Sequence, residues 1–391
     1  MATDTHSKNN PDLRRSILLL ASAAFVSGVN LRVADPLIPT LAHDFSSSVS
    51  AAASVVSAFT LAYALFQIIH GPLGDRIGKL RAVTIGMFIA AAAALGCAFA
   101  PNLFLLAVGR FFTGMGAAAV IPLSLAFIGD NISYERRQTT LGRFMGAVLT
   151  GQVLGPLIAG GLSQFLTWRA VFLILAASFA VVGFLLLPQA RAPQVRSGTA
   201  RRNPLVQYAA LARDRWVRVV VLTAATEGFL FYGAFAYFGA YLKADYGIGY
   251  LLIGLLIGSF SIGGVVFSLT VKQLVARLRE RGLALVGGIS LLVCFGAIAA
   301  APQWLVTLPF FMLTGLAFYM LHNTLQTKAT EMAPQARGAA VSFFAFCLFL
   351  GQALGVAAFG QAIEALGYRG VFVLAGGALA LLAWAFSRRL R

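Results

Sequence analysis

Charged residues are scarce in this chain, and their scarcity excludes a soluble globular protein. Only 11% of its 391 residues are Asp, Glu, Lys or Arg, whereas 59% are hydrophobic. Soluble chains carry about 25% charged residues. The mean hydropathy of +0.83 leaves too little polar surface to face water. The length is sufficient for about twelve membrane spans of 20 residues each, joined by short loops.

Cysteine is rare as well. Cys97, Cys294 and Cys347 each stand alone in an apolar run, which predicts neither a disulfide nor a metal site. The sequence has no phosphate-binding G-x-x-x-x-G-K-[ST] loop, no nucleophile–base pair and no extramembrane segment long enough for a catalytic domain or a receptor module. It therefore argues against an enzyme, a receptor and a bound cofactor. Any energy source should be an ion gradient.

Twelve apolar segments are separated by short polar stretches. They lie near 16–39, 51–70, 82–100, 102–129, 142–165, 169–188, 217–242, 249–271, 283–300, 303–327, 338–363 and 368–387. The polar residues before the first segment lack a small-residue cleavage site, so we interpret that segment as a retained helix. The pattern predicts an all-α, multi-pass protein with twelve transmembrane helices.

Basic residues decide the predicted orientation. The formal net charge is +17, but the basic residues lie between apolar runs and therefore indicate membrane topology rather than a nucleic-acid partner. With twelve spans, 25 Lys and Arg fall on one set of flanks and only Arg169, Lys243 and Arg369 on the other. Because Lys and Arg favour the cytoplasmic side, both termini should be cytoplasmic.

An internal repeat divides the chain. Gly151-Gln-Val-Leu-Gly155 recurs as Gly351-Gln-Ala-Leu-Gly355, 200 residues later. This predicts two six-helix bundles at 1–188 and 217–391, with a basic cytoplasmic linker at 189–216 that could carry a short interfacial helix. Parallel repeats of this kind are typical of transporters whose substrate site lies between the bundles near the membrane midplane.

A charged, glycine-rich stretch between the second and third spans, at 71–81, is the most specific motif. It resembles the signature between helices 2 and 3 of the major facilitator superfamily of secondary transporters. The resemblance implies the major facilitator fold and a gating role, with Asp75 set against a helix N-terminus of the other bundle. Simple topogenic charge would explain the basic residues but not Asp75 or the glycines. The gating candidates are Gly71, Gly74, Asp75, Arg76, Gly78, Lys79 and Arg81.

Two further stretches resemble motifs of the same superfamily. Arg110 lies about eight residues inside its span, where an arginine costs about 2.5–3.5 kcal/mol. The resemblance implies that it assists proton movement, and the alternative is an arginine that snorkels to the interface. The second stretch, around 142–161, implies antiport and close helix packing. The packing candidates are Gly151, Gly155, Pro156, Gly160, Gly351 and Gly355.

Two carboxyl groups within spans are candidates for proton coupling. Asp35 follows Arg32 by three residues, so the two charges share a helix face and can neutralise each other. Glu227 has no basic residue within one turn, and an unpaired buried carboxyl group can exchange protons near neutral pH. A structural ion pair and a hydrogen-bonded packing residue are the respective alternatives.

Polar and aromatic residues within spans are candidates for contact with a substrate. Polar side chains there need a partner or a wet cavity, because lipid offers none. Most of the aromatic residues should pack helices or face lipid, and a minority could line a cavity for a hydrophobic compound. The substrate-binding candidates are Arg32, Asn30, Tyr63, Gln67, Tyr232, Phe235, Tyr319, His322, Asn323 and Phe346.

Nearly the whole chain resembles bacterial drug:proton antiporters with twelve helices. The resemblance implies a monomer in the bacterial inner membrane that exports small, largely hydrophobic compounds in exchange for protons, by rocking-bundle alternating access. The alternatives are an exporter of a metabolite, a siderophore or an anionic lipid, to which Arg32 and Arg110 would be suited, and a uniporter in which the buried acids are structural. No motif in the sequence specifies the substrate.

Overall fold

The computed structural model describes residues 11–191 and 204–390, and every regular element in these ranges is helical. Ten of these helices are long and apolar enough to cross a membrane, which confirms the predicted all-α membrane class. They are α1 (Pro11–Asp44), α2 (Val49–Ile77), α3 (Lys79–Ala98), α4 (Leu103–Asn131), α5 (Arg136–Phe165), α6 (Trp168–Arg191), α7 (Arg215–Tyr246), α8 (Tyr250–Ala300), α9 (Trp304–Glu331) and α10 (Gly338–Ser387).

Two of these helices are far longer than a membrane requires. α8 has 51 residues and α10 has 50, whereas about 20 residues are enough to cross. Each is interrupted by one residue with non-helical backbone angles: Arg279 has φ 53° in α8, and Gly367 has φ 66° in α10. Each therefore consists of two consecutive apolar helices. These correspond to the segments predicted at 249–271 and 283–300, and at 338–363 and 368–387.

Four helices change geometry along their length. In α1, Pro36 and Pro39 lack the N–H that a continuous helix needs, and a 3-10 turn follows the first stretch. In α7, a π-helical turn directly follows Glu227. The consecutive pieces are Pro11–Arg32, Asp35–Leu37 and Ile38–Asp44 in α1; Val49–Ala52 and Ser54–Ile77 in α2; Leu103–Ala117 and Val120–Asn131 in α4; and Arg215–Glu227, Gly228–Tyr232, Gly233–Phe235 and Phe238–Tyr246 in α7.

A short helix, Pro204–Arg213, precedes α7 within the predicted linker, and positions 192–203 of that linker lie outside the described residues. A 3-10 turn, Pro334–Ala336, precedes α10.

The charged stretch at 71–81 is not the loop that the sequence suggests. α2 continues to Ile77, and α3 begins at Lys79, so Gly78 alone joins the two helices. Gly78 has φ 98° and ψ 137°, a conformation that side chains disfavour and glycine tolerates. The sequence predicts a loop here because glycine and proline usually end helices. In the structure Pro72 lies inside α2, which continues past it.

Side-chain contacts define the two ends of the helix bundle. At one end Arg81 Nε donates a hydrogen bond to the Ala190 carbonyl over 3.4 Å. We call this the arginine-rich end. At the other, Trp168 Nε1 donates to the Asp44 carboxylate over 2.9 Å. We call this the opposite end.

The sequence repeat recurs as a repeat of contacts. A Cβ on Gly28 in α1 would overlap the Val148 carbonyl of α5, and a Cβ on Gly228 in α7 would overlap the Leu348 carbonyl of α10. Small residues of this kind let helix backbones approach closely in a membrane. The same 200-residue offset relates Gly151 against Phe25 to Gly351 against Ala225, and Gly155 against Val29 to Gly355 against Phe229.

We expect Gly351→Ala to destabilise the fold, because its methyl group would collide with the Ala225 carbonyl of α7. Overpacking of this kind costs about 1–3 kcal/mol. The matched control is Gly296→Ala in α8, where an added Cβ meets nothing within 4 Å. Thermal unfolding in detergent should show a lower Tm for Gly351→Ala only. Equal Tm values for both variants would contradict the close approach of α7 and α10.

Candidate functional site

Four charged side chains of the described residues are buried inside the apolar bundle. Arg32, Asp35, Arg110 and Glu227 expose 8%, 1%, 1% and 0% of their surfaces. Buried charges of this kind are expensive inside a membrane protein and mark functional sites by default. The contacts of these four side chains are of three kinds.

Arg32 and Asp35 pair with each other at the break in α1. The Arg32 Nη1 atom lies 3.5 Å from Asp35 Oδ2, as their three-residue spacing suggests. The same guanidinium lies over the ring of Tyr232 in α7, 4.0 Å from its centroid. A desolvated cation–π contact of this kind is worth about 2 kcal/mol. Arg32 therefore joins α1 to α7 deep within the protein.

Arg110 does not snorkel to the interface. Its Nη1 donates to Asn30 Oδ1 over 2.5 Å, and its Nη2 donates to the Asn30 carbonyl over 3.3 Å. The guanidinium also lies 4.2 Å from the centroid of the Phe59 ring. α1, α2 and α4 thus enclose the cation together. Among the described residues, no carboxylate lies within ion-pair distance of it.

Glu227 is not unpaired. Its Oε2 lies 2.9 Å from Nδ1 of His322 in α9. The His322 ring stacks on Phe318, with 4.9 Å between centroids and 14° between planes. The π-helical turn Gly228–Tyr232 follows Glu227 directly, and such turns occur frequently at functional sites. Sequence reasoning missed this pair because its members are 95 residues apart.

An aromatic contact connects the two ion pairs. Tyr232, which lies under Arg32, contacts Phe318 with 5.2 Å between ring centroids. Phe318 in turn stacks on His322. The carboxyl groups of Asp35 and Glu227 are thus linked through one tyrosine and one phenylalanine. Phe318 is part of this arrangement although it was not among the candidates.

Several buried polar atoms at the site have no hydrogen-bond partner within the described residues. They include Asp35 Oδ2, Glu227 Oε1, Arg110 Nε and Asn30 Nδ2. Leaving such an atom unsatisfied costs about 1–3 kcal/mol. The two carboxylate oxygens can accept a proton or a hydrogen bond, and the two N–H groups can donate to a water molecule or a bound solute.

The remaining substrate candidates lie in different environments. Tyr63 is buried and packs edge-on against Phe349 of α10, 4.7 Å between centroids. Gln67 is buried on α2, and Phe235 is buried within the aromatic core of the C-terminal helices. The structure does not bring all the candidates into one cluster. Tyr319, Asn323 and Phe346 are half-buried.

The gating candidates surround the junction of α2 and α3. Lys79 forms an ion pair with Asp130 of α4, and Arg81 contacts α6. Asp75 and Arg76 are exposed. Among the described residues, Asp75 makes no hydrogen bond to a helix N-terminus. In this conformation the implied contact with the C-terminal helices is not formed.

The N-terminal helices α1–α6 and the C-terminal helices α7–α10 meet closely at the opposite end. A Cβ on Gly160 of α5 would overlap the Tyr250 carbonyl of α8, and a Cβ on Gly360 of α10 would lie 3.1 Å from Ser50 Cβ of α2. Gln164 Oε1 also accepts a hydrogen bond from the Tyr250 amide over 2.8 Å. In the described ranges, no hydrogen bond or ion pair joins these two groups of helices at the arginine-rich end. The opposite end is therefore the closed one.

Solved structures with the same fold include transporters. A bacterial homolog of the human lysosomal transporter Spinster, inward-facing and occupied, superposes with a TM-score of 0.81 at 17% identity, covering 97% of this chain and 98% of its own. The nucleoside transporter NupG gives 0.78 at 13% identity, covering 98% and 100%. At such identities the likeness shows the fold alone.

Sequence comparison gives the family. YwfA of Bacillus subtilis, an uncharacterized MFS-type transporter, is 28% identical over 364 residues, which cover 90% of this chain and 87% of YwfA. The multidrug export protein EmrB of Haemophilus influenzae is 29% identical over 157 residues, 40% of this chain and 31% of EmrB. The model of the Major Facilitator Superfamily matches residues 20–355 and 241–391. The chain therefore belongs to the major facilitator superfamily, as its motifs predicted, and is a multi-pass membrane transporter rather than an enzyme.

Proposed function

We propose that this transporter is a proton-coupled exporter of small, largely hydrophobic compounds that works by rocking-bundle alternating access. Its ten described apolar helices provide twelve spans when α8 and α10 each count as two. Six spans on either side of a linker at 189–216, with both termini cytoplasmic, follow the alternation of basic flanks. The proposed location is the bacterial inner membrane, and the proposed state is a monomer.

The observation that carries the proposal is the presence of one buried carboxyl group in each set of helices, each beside a cationic or titratable partner. Asp35 lies beside Arg32, and Glu227 lies beside His322. Both carboxyl groups retain an oxygen without a hydrogen-bond partner in the described structure. Each can therefore accept a proton on an oxygen that has no hydrogen-bond partner.

The sum of the buried charges favours the exchange of a proton for a cationic or neutral compound. Two arginines and two carboxylates cancel while His322 is neutral. A proton on either carboxyl group makes the site positive, and a positive site disfavours a second cation because interior charges are poorly screened. Proton and cationic substrate would then exclude each other, as antiport requires. An anionic substrate would instead be favoured by the protonated site.

One relative named for export, the EmrB protein described above, supports the direction of transport. The probable actinorhodin transporter of Streptomyces coelicolor, which is 32% identical over 206 residues, is named for transport without a direction. A second candidate, an exporter of an anionic metabolite, siderophore or lipid, is favoured by one observation: Arg110 is buried without a carboxylate partner among the described residues. A uniporter is the third possibility, and the gradient experiment below distinguishes it.

We expect Asp35→Asn and Glu227→Gln to abolish substrate-driven proton flux, because an amide cannot take up the exchanged proton. Purified protein in liposomes with an internal pH dye would be tested with lipophilic cations, antibiotics and anionic metabolites. The matched control is Glu364→Gln, an exposed carboxyl group at the opposite end, which should retain the flux. An unchanged Tm would show that the variants are folded. Full flux in both site variants would remove the coupling assignment, and substrate movement indifferent to the gradient would indicate a uniporter.

We expect Asn30→Ala to lower both stability and coupled flux, because it removes the side-chain acceptor of the buried Arg110 guanidinium. The loss should be about 1–3 kcal/mol in the free energy of unfolding. Ser27→Ala is the matched control on the same helix, since the buried Ser27 hydroxyl has no partner in the described structure. Chemical denaturation in mixed micelles compares the two. Equal stability and flux would show that Asn30 does not hold Arg110.

We expect a disulfide in Ser50→Cys/Gly360→Cys to block transport, because it fixes α2 to α10 at the closed end. The 3.1 Å between the two Cβ positions is slightly below the usual 3.5–4.5 Å, and the new Cβ at position 360 also requires the Tyr237 hydroxyl to shift. Oxidation should stop flux and a reductant should restore it. The single variants, treated identically, are the controls. Undiminished flux in the oxidised pair would contradict opening at this end during the cycle.

A further inference from the structure

An apolar groove lies on the outer surface of the bundle, where α1, α5 and α6 meet. Its volume is about 650 Å³, within the roughly 300–1,000 Å³ usual for small-molecule sites. Side chains such as Leu18 and Val181 are 69% and 56% exposed, so the groove opens away from the protein core. Its lining includes Leu18, Ser22 and Val26 of α1, Ala147 of α5, and Ile174 and Val181 of α6.

The groove has the length and chemistry of a slot for a hydrocarbon chain. From Leu18 to Val26 it follows α1 for about 12 Å, at 1.5 Å per residue. Its lining contains no charged residue, and its polar groups are two serine hydroxyls. One of these, on Ser22, donates to the Leu18 carbonyl within the helix over 3.1 Å. An apolar chain bound in the slot would therefore not leave the Ser22 hydroxyl without a hydrogen bond.

Arginines stand at one end of the groove. Arg14 and Arg15 precede Leu18 by one turn of α1, and Arg143 precedes Ala147 by one turn of α5. Side chains three or four residues apart share a helix face, so these cations continue the stripes that line the groove. All three are exposed. The acidic residue nearest to them in the sequence is Asp12, which precedes Arg15 by three residues and lies about 110° around α1 from the centre of the stripe, at roughly 100° per residue.

A smaller groove between α8 and α9 differs in this respect. It has a volume of about 190 Å³ and includes Met320 in its lining. The basic residue two turns farther along α9 is Lys328, which is paired with Glu280 over 2.8 Å and with Glu331 over 2.9 Å. Its charge is already compensated within the protein. Of these two grooves, the larger has three exposed arginines on the helix faces that line it.

We propose that the α1–α5–α6 groove binds an anionic phospholipid, with an acyl chain in the slot and the headgroup phosphate on Arg14, Arg15 and Arg143. The order of chemistry along the groove, cations first and apolar wall after, matches a lipid that extends from the interface into the hydrocarbon. Basic pockets between transmembrane helices are known to bind such headgroups. A neutral hydrophobic guest would leave the arginines unused.

The test is lipid retention by the full-length protein. The protein is purified in detergent, mixed with equal amounts of phosphatidylglycerol and phosphatidylcholine, and examined by native mass spectrometry. We expect one phosphatidylglycerol to remain bound in at least fivefold preference to phosphatidylcholine. Arg15→Ala/Arg143→Ala should abolish that preference. The control Lys272→Ala/Arg277→Ala removes two exposed charges of α8 and should keep it.

A second variant tests the slot separately from the arginines. Ala147→Phe fills the groove without changing charge and should remove the bound lipid in the same experiment. Three results would overturn the proposal: equal retention of both lipids by the unmodified protein, loss of preference in the α8 control, or lipid retention unaffected by Ala147→Phe. A dimer that Ala147→Phe dissociates would instead identify a second copy of the chain as the occupant.

Discussion

The low dielectric of the membrane is the constraint on which this structure depends. A charge buried there must be paired or lost, because neither lipid nor apolar side chains can solvate it. In this protein Arg32 contacts Asp35 of its own helix and Tyr232 of α7, and Glu227 of α7 contacts His322 of α9. The contacts that join two helices fix their relative position, so these buried groups also help to determine the tertiary packing.

Glycines also determine the packing, because they let helix backbones approach closely. Close backbone contacts, such as those of Gly151 with α1 and Gly351 with α7, recur after 200 residues. The offset becomes 201 for Gly114 against Phe59 and Gly315 against Phe260, so the second half gains one residue before its second helix and loses it again before its fifth. The repeated contacts keep each group of helices rigid. Different side chains at equivalent positions then let one scaffold hold Arg110 in one group and Glu227 with His322 in the other.

Local rules made part of this site predictable. The pairing of Arg32 with Asp35 follows from a three-residue spacing on one helix, and the apolar segments follow from composition. The Glu227–His322 contact could not be predicted from the sequence, since no local pattern links residues 95 positions apart. The extension of α2 through Pro72 and the π-helical turn after Glu227 also lay beyond prediction, because both depend on packing against neighbouring helices and not on hydrophobic periodicity.

The contacts between the two groups of helices differ in a way that suits alternating access. At the opposite end they are one hydrogen bond, from the Tyr250 amide to Gln164, and short van der Waals contacts at Gly160 and Gly360, which weaken steeply once the backbones separate. Near the breaks in α1 and α7, Arg32 lies over Tyr232, and an electrostatic attraction of this kind persists over a larger range of distance and tilt. A rocking motion needs a contact that survives while the ends open and close. Arg32 and Tyr232 have the chemistry of that pivot, and Asp35, which we propose as a proton acceptor, pairs with Arg32 over 3.5 Å.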